Sequence, residues 1–142
     1  MREILFRGKR KDNGEWWYGL PCRTLNKDGE DVLNIQCWER DEEGVTGIYE
    51  PVIPETVGQY TGKMDKNGTK IFEGDVVYVK IKGYNTICKV AWAENVAQFQ
   101  LWQFNTIPNT PTALNLGNYD CEVIGNIHDN PELIRSENSG KF

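Results

Sequence analysis

Short runs of apolar and β-branched residues, each closed by a Gly-containing turn signal, repeat along the chain. The signals are Asp12-Asn13-Gly14, Lys27-Asp28-Gly29, Glu43-Gly44, Lys66-Asn67-Gly68, Glu73-Gly74-Asp75 and Lys82-Gly83. Asn-Gly and Asp-Gly suit tight hairpins because both residues tolerate positive φ. Ile4-Leu5-Phe6-Arg7 enters the first turn and Trp16-Trp17-Tyr18-Gly19 leaves it. Val32 to Trp38 follows the second, and Val76 to Ile81 and Thr86 to Trp92 flank Gly83 as a hairpin. Short strands at this spacing predict an all-β fold.

Three stretches follow other rules. Trp92, Val96, Phe99 and Gln103 fall at helical spacing, and residues 91 to 97 would tolerate a helix. Gln98-Phe99-Gln100-Leu101 alternates, however, so 98 to 104 is read as a strand. Residues 105 to 118 read as a long loop, and Cys121 to Ile127 as the last strand. Asn130-Pro131-Glu132-Leu133 carries a cap followed by proline, which predicts one short helical turn. Residues 136 to 142 read as a loose tail.

Composition narrows the class. At 142 residues, 39% hydrophobic and 11% aromatic, the chain can bury a core without staples, as one domain or two small fused ones. It is too apolar for a disordered chain. Its glycines lack the period of collagen, and no apolar run approaches the roughly 18 residues of a membrane helix. A single domain over 1–135 is expected, with a candidate subdivision near 51–58 at Pro51-Val52-Ile53-Pro54. The opening segment has three apolar residues in succession, whereas a secretory core needs about 7 to 15; a cytoplasmic location in a bacterial host is expected. Cys22, Cys37, Cys88 and Cys121 show no metal spacing and are expected as reduced thiols.

Catalytic chemistry is sparse in this composition. The two serines, Ser136 and Ser139, fall in the tail, and His128 is the sole histidine. A Cys121–His128 pair has only proximity to recommend it. Asp41-Glu42-Glu43 lacks the alternating ligands and central Gly of a calcium loop and reads as a solvated turn. No glycine-rich loop opens a long helix, as a phosphate site would require. No catalytic residue, metal site or cofactor is therefore expected. The constellation suited to binding is Arg7, Lys9, Arg10 and Lys11 with Trp16 and Trp17, because nucleic-acid surfaces combine cations with stacking faces. On a strand Trp16 and Tyr18 share one side and Trp17 takes the other. The net charge of -5 works against nonspecific phosphate attraction.

The segment Gln59-Tyr-Thr-Gly-Lys-Met-Asp-Lys-Asn-Gly-Thr-Lys-Ile-Phe-Glu-Gly-Asp-Val-Val77 resembles the central signature of the YopX family, small proteins of phages and prophages. The opening Arg2 to Arg7 and the closing Glu122 to Leu133 resemble the start and end of that family. Residues 20 to 55 and 93 to 118 do not match clearly. The resemblance implies a mainly β fold, part of it an SH3-like barrel with an additional N-terminal β region, and supplies no catalytic residue. The motif itself reads as turn punctuation: Asp65 and Asn67 suit the turn backbone, and Val77 and Val79 would share one strand face. The reading that follows is a non-enzymatic module that binds protein, itself and a host factor, with nucleic acid as the alternative partner and no membrane.

Overall fold

In the computed structural model, residues 2–104 and 113–134 are described. They form β1 (Phe6–Lys9), β2 (Trp16–Leu25), β3 (Asp31–Asp41), β4 (Gly44–Pro51), β5 (Gly58–Met64), β6 (Lys70–Phe72), β7 (Asp75–Ile81), β8 (Tyr84–Ala93), β9 (Gln98–Gln103), β10 (Ala113–Asn115) and β11 (Cys121–Asn126), with 3-10 turns at Pro54–Thr56, Leu116–Asn118 and Pro131–Ile134. All strand pairs with a defined register are antiparallel. The all-β expectation holds, and each of the six turn signals lies between successive strands or runs into the first residue of the second, as Gly44 does for β4 and Asp75 for β7. The strand read at 98 to 104 is β9, while in the stretch 91 to 97 that would tolerate a helix, residues 91 to 93 end β8 and the rest form the turn. The short turn expected at Pro131 is also present.

Contacts divide the chain into two units, Met1–Tyr60 and Thr61–Phe142, and the chain passes from one to the other within β5. In the first, the strand order is β4-β3-β2-β1-β5. Its core gathers under Gly8, where an added Cβ would lie 3.1 to 3.2 Å from Ile35, Val57 and Val52, and Ile35 and Val52 are fully buried. Pro21 is tolerated in the long β2 because its partner Ile35 faces it across a pair that needs no donor. Asn26 N–H donates to Glu30 O at 2.9 Å, and bonded pairs recur every second residue from there, so the ladder bonds of β2 fall on Thr24, Cys22 and Leu20.

In the second unit β5 is followed by β6, and a separate sheet runs β10-β9-β8-β7-β11. Its core comprises Ile71, Val77, Val79, Cys88, Val90, Leu101, Leu114, Leu116 and Cys121, each aliphatic member worth roughly 1.5–3 kcal/mol on burial. Val77 and Val79 share the inner face as expected, but Val76 on the opposite face is also fully buried.

Two expectations are corrected. The SH3-like barrel does not close: β10 and β11 remain the two edges of the five-stranded sheet. The three-residue β10 offers little edge to pair, and β11 carries a bulge between Val123 and Gly125 that turns it aside. The loop read at 105 to 118 contains β10 and a 3-10 turn, in which the side chain of Asn115 accepts from Gly117 N–H at 2.9 Å. Residues 105 to 112 of that loop, and the tail from Ser136, lie outside the described residues.

Candidate functional site

The basic segment and the tryptophans meet in the first unit through the β1–β2 ladder. Lys9 pairs with Trp16, Gly8 with Trp17 and Arg7 with Tyr18, so Arg7, Lys9, Trp16 and Tyr18 share one face and Trp17 takes the other. The guanidinium of Arg7 lies 4.5 Å from the centroid of Trp16, and the ammonium of Lys9 lies 5.6 Å from it. Arg7 is only 7% exposed. Such stacks are worth about 0.5–1 kcal/mol when exposed and about 2 when desolvated.

Arg10 does not join that stack. It lies over Trp17, 5.3 Å from the ring centroid, and forks onto Asp12 with bonds of 3.0 and 2.6 Å. Glu50 approaches it at 3.3 Å. The hydrogen bond to Asp12 raises the Arg10 pKa, with smaller help from the charges of Asp12, Glu50 and Glu15 against burial. The same bond lowers that of Asp12. Trp17 is also tied down, its Nε1 donating to the Ile35 carbonyl at 3.1 Å. Lys11 is exposed. The six candidate residues are thus split between two faces, with one arginine buried and another neutralised.

A larger feature lies on β2, β3 and β4. Leu20 pairs with Gln36, Gln36 with Tyr49, Trp38 with Gly47 and Arg40 with Val45. Alternation therefore places Tyr18, Leu20, Trp38, Tyr49 and Val45 on one face. They are 45, 48, 64, 52 and 54% exposed. Large apolar clusters at the surface mark interaction sites. Val45 and Tyr49 escape a reading of the sequence because β4 has few apolar residues, and Trp38, though read as part of a strand, gives no sign by itself of which face it takes. The available signal is the alternation Val45-x-Gly47-x-Tyr49.

The carboxylates and the amine best suited to catalysis serve the backbone of the second unit. Asp65 Oδ1 accepts from the N–H groups of Asn67 and Thr69, both at 2.9 Å, and Oδ2 from Val123 N–H at 3.0 Å. Burial pushes the Asp65 pKa up, but these three donors together with Lys66 outweigh it and the net shift is downward. Asp75 accepts from Phe72 N–H at 2.7 Å. Lys63 Nζ donates to the carbonyls of Leu116 and Tyr119. His128 lies in the turn after β11, its N–H donating to Asn126 Oδ1 at 3.0 Å. All four cysteines are free thiols. Burial raises the pKa values of Cys37 and Cys121 and pushes that of Cys88 up to about 12. A recess of about 60 Å³ lined by Lys66, Tyr78, Lys80, Asp120, Cys121 and Glu122 is far below the roughly 300–1,000 Å³ of small-molecule sites. Among the described residues, no cluster of three or more His, Cys, Asp or Glu is placed to hold a metal, and no helix is long and apolar enough to cross a membrane.

Comparison with known proteins bears on the fold. The family model described as YopX protein matches residues 5–135. No curated protein matches the sequence. Among solved structures, protein EF1440 from Enterococcus faecalis is similar, with 21% identity and a TM-score of 0.52, covering 95% of this chain and 100% of that one.

Proposed function

The chain belongs to the YopX family, and from that premise we propose that it is a phage- or prophage-encoded, non-enzymatic binding module of the bacterial cytoplasm. Its partners are proteins: further copies of itself and a host factor. The observation that carries this reading is the exposed apolar face formed by Tyr18, Leu20, Trp38, Tyr49 and Val45. Aromatic side chains contribute large contact area at interfaces and are enriched among the residues that dominate binding. The carboxylates and thiols best placed for chemistry are committed to backbone hydrogen bonds or to the core, which supports a binding role. Light scattering of the full chain tests self-association: a mass above 16.3 kDa is expected, and a strict monomer at all concentrations counts against it.

Nucleic acid is the second reading, favoured by the stack of Arg7 and Lys9 on Trp16. The ion pairs of Arg10 with Asp12 and Glu50 and the net charge of -5 weigh against it. Binding that weakens steeply with salt would support it.

A further inference from the structure

β4 is the terminal strand of its sheet. From Gly44 to Glu50 it has none of the lysines, prolines or bulges with which proteins protect such edges. The direction of its free backbone groups follows from one hydrogen bond. Val52 N–H donates to Leu33 O at 3.1 Å, and the β3–β4 register continues from that pair. In an antiparallel ladder bonded pairs recur every second residue. Glu50, Ile48, Thr46 and Gly44 therefore bond to β3, Val45, Gly47 and Tyr49 point their N–H and C=O groups outward, and Pro51, which has no N–H, points its carbonyl outward. The Pro51 carbonyl is already used, accepting from Lys11 N–H at 3.0 Å. Val45, Gly47 and Tyr49 form the open edge.

This edge is complementary to itself. A twofold axis through Gly47 sets Val45 opposite Tyr49, Gly47 opposite Gly47 and Tyr49 opposite Val45. That arrangement pairs every outward group and keeps the apolar faces of both copies on the same side. No charged residue faces a like charge in it, because Glu50 lies opposite Gly44. It also brings the exposed acidic tip Asp41-Glu42-Glu43 of one copy beside the Pro51–Lys11 junction of the other, where Lys11 is exposed and the nearby carboxylates of Asp12 and Glu50 are taken up by Arg10. The two Trp38 rings, each lying across its own Gly47, extend one continuous apolar strip over the axis.

We propose that the protein dimerises by antiparallel pairing of β4 with β4 of a second copy, centred on Gly47. This rests on the self-association reading above and names its surface and register. The test uses the full chain with Cys22→Ala and Cys37→Ala, to which either Val45→Cys or Tyr49→Cys is added. In the proposed register residues 45 and 49 of different copies are a bonded pair with Cα atoms about 5.5 Å apart, within disulfide reach. Residues 45 and 45 lie roughly 13 Å apart, out of reach. Under oxidised glutathione, an equimolar mixture of the two variants should give the mixed disulfide dimer, and each alone should give little. In parallel, Val45→Lys with Tyr49→Lys should raise the dimer dissociation constant at least about tenfold with an unchanged circular dichroism spectrum. A strictly monomeric wild type would overturn both this proposal and the self-association reading. An oligomer that survives the lysine pair, with no preference for the mixed disulfide, would overturn the β4 register alone.

Discussion

The ring of Trp38 closes over Gly47. A Cβ at Gly47 would stand 3.0 Å from Cζ3 and 3.3 Å from Cη2 of the ring, and 2.6 Å from Nε2 of Gln36. These atoms end side chains and can move. Gly47→Ala should therefore cost less than about 1 kcal/mol of stability while displacing Trp38 and weakening self-association. Gly19 makes the contrast, because its Cβ would lie 2.1 Å from the backbone oxygen of Gln36. Gly19→Ala forces strands apart and should destabilise by about 3 kcal/mol or more. Urea unfolding of both variants checks the difference.

Asp65 binds β11 to the β5–β6 turn through Val123, 58 residues away in sequence. Asp65→Ala leaves three backbone donors without their carboxylate and should cost on the order of 3 kcal/mol. Asp65→Asn turns one acceptor oxygen into a donor and should cost somewhat less. The pKa of Asp65 is lowered on folding, so the unfolded chain binds the proton more readily. Its contribution is fully present above the unfolded value of about 3.9 and is lost as pH falls through the lower folded value. The stability gap between wild type and Asp65→Asn should shrink on acidification in that range. A gap independent of pH would contradict the assignment.

Thiol labelling should separate the cysteines. Cys22 is half-buried, whereas Cys88 and Cys121 are buried and their pKa values are raised, that of Cys88 to about 12. The thiolate is the reactive form. Alkylation at pH 8, followed by peptide mass analysis, should mark Cys22 well before Cys88 or Cys121. Rapid labelling of Cys88 would contradict its place in the core.

The basic segment should bind nucleic acid weakly. Arg10 is occupied by Asp12 and Glu50, and Arg7 is buried on Trp16. Fluorescence titration with single-stranded DNA at low salt should give little binding, and Lys9→Glu with Lys11→Glu should change it little. Tight binding that both salt and these substitutions abolish would favour the nucleic-acid reading instead.

The hairpins were legible because their signals are local. In the Asp65-x-Asn67-Gly68 turn, the carboxylate takes the turn N–H groups and Gly68 accepts a φ of +82°. The opposite facing of Trp16 and Trp17 likewise needs only the two-residue alternation. β4 was not legible, since its Thr46, Gly47 and acidic flanks break the apolar pattern. Nor was the fate of Arg10, because Glu50 reaches it from a strand 40 residues downstream. The apolar face depends on the registers of β2, β3 and β4 together, and register is a long-range property.

The central claim is that the exposed face and free edge of β4 bind protein, beginning with a second copy of the chain. The most direct measurement is sedimentation equilibrium of the 142-residue chain across a wide concentration range, beside the Val45→Lys/Tyr49→Lys variant. The wild-type mass is expected to rise with concentration toward twice the 16.3 kDa of the chain, while the variant stays near the single-chain value. A wild type that holds the single-chain mass throughout would contradict it.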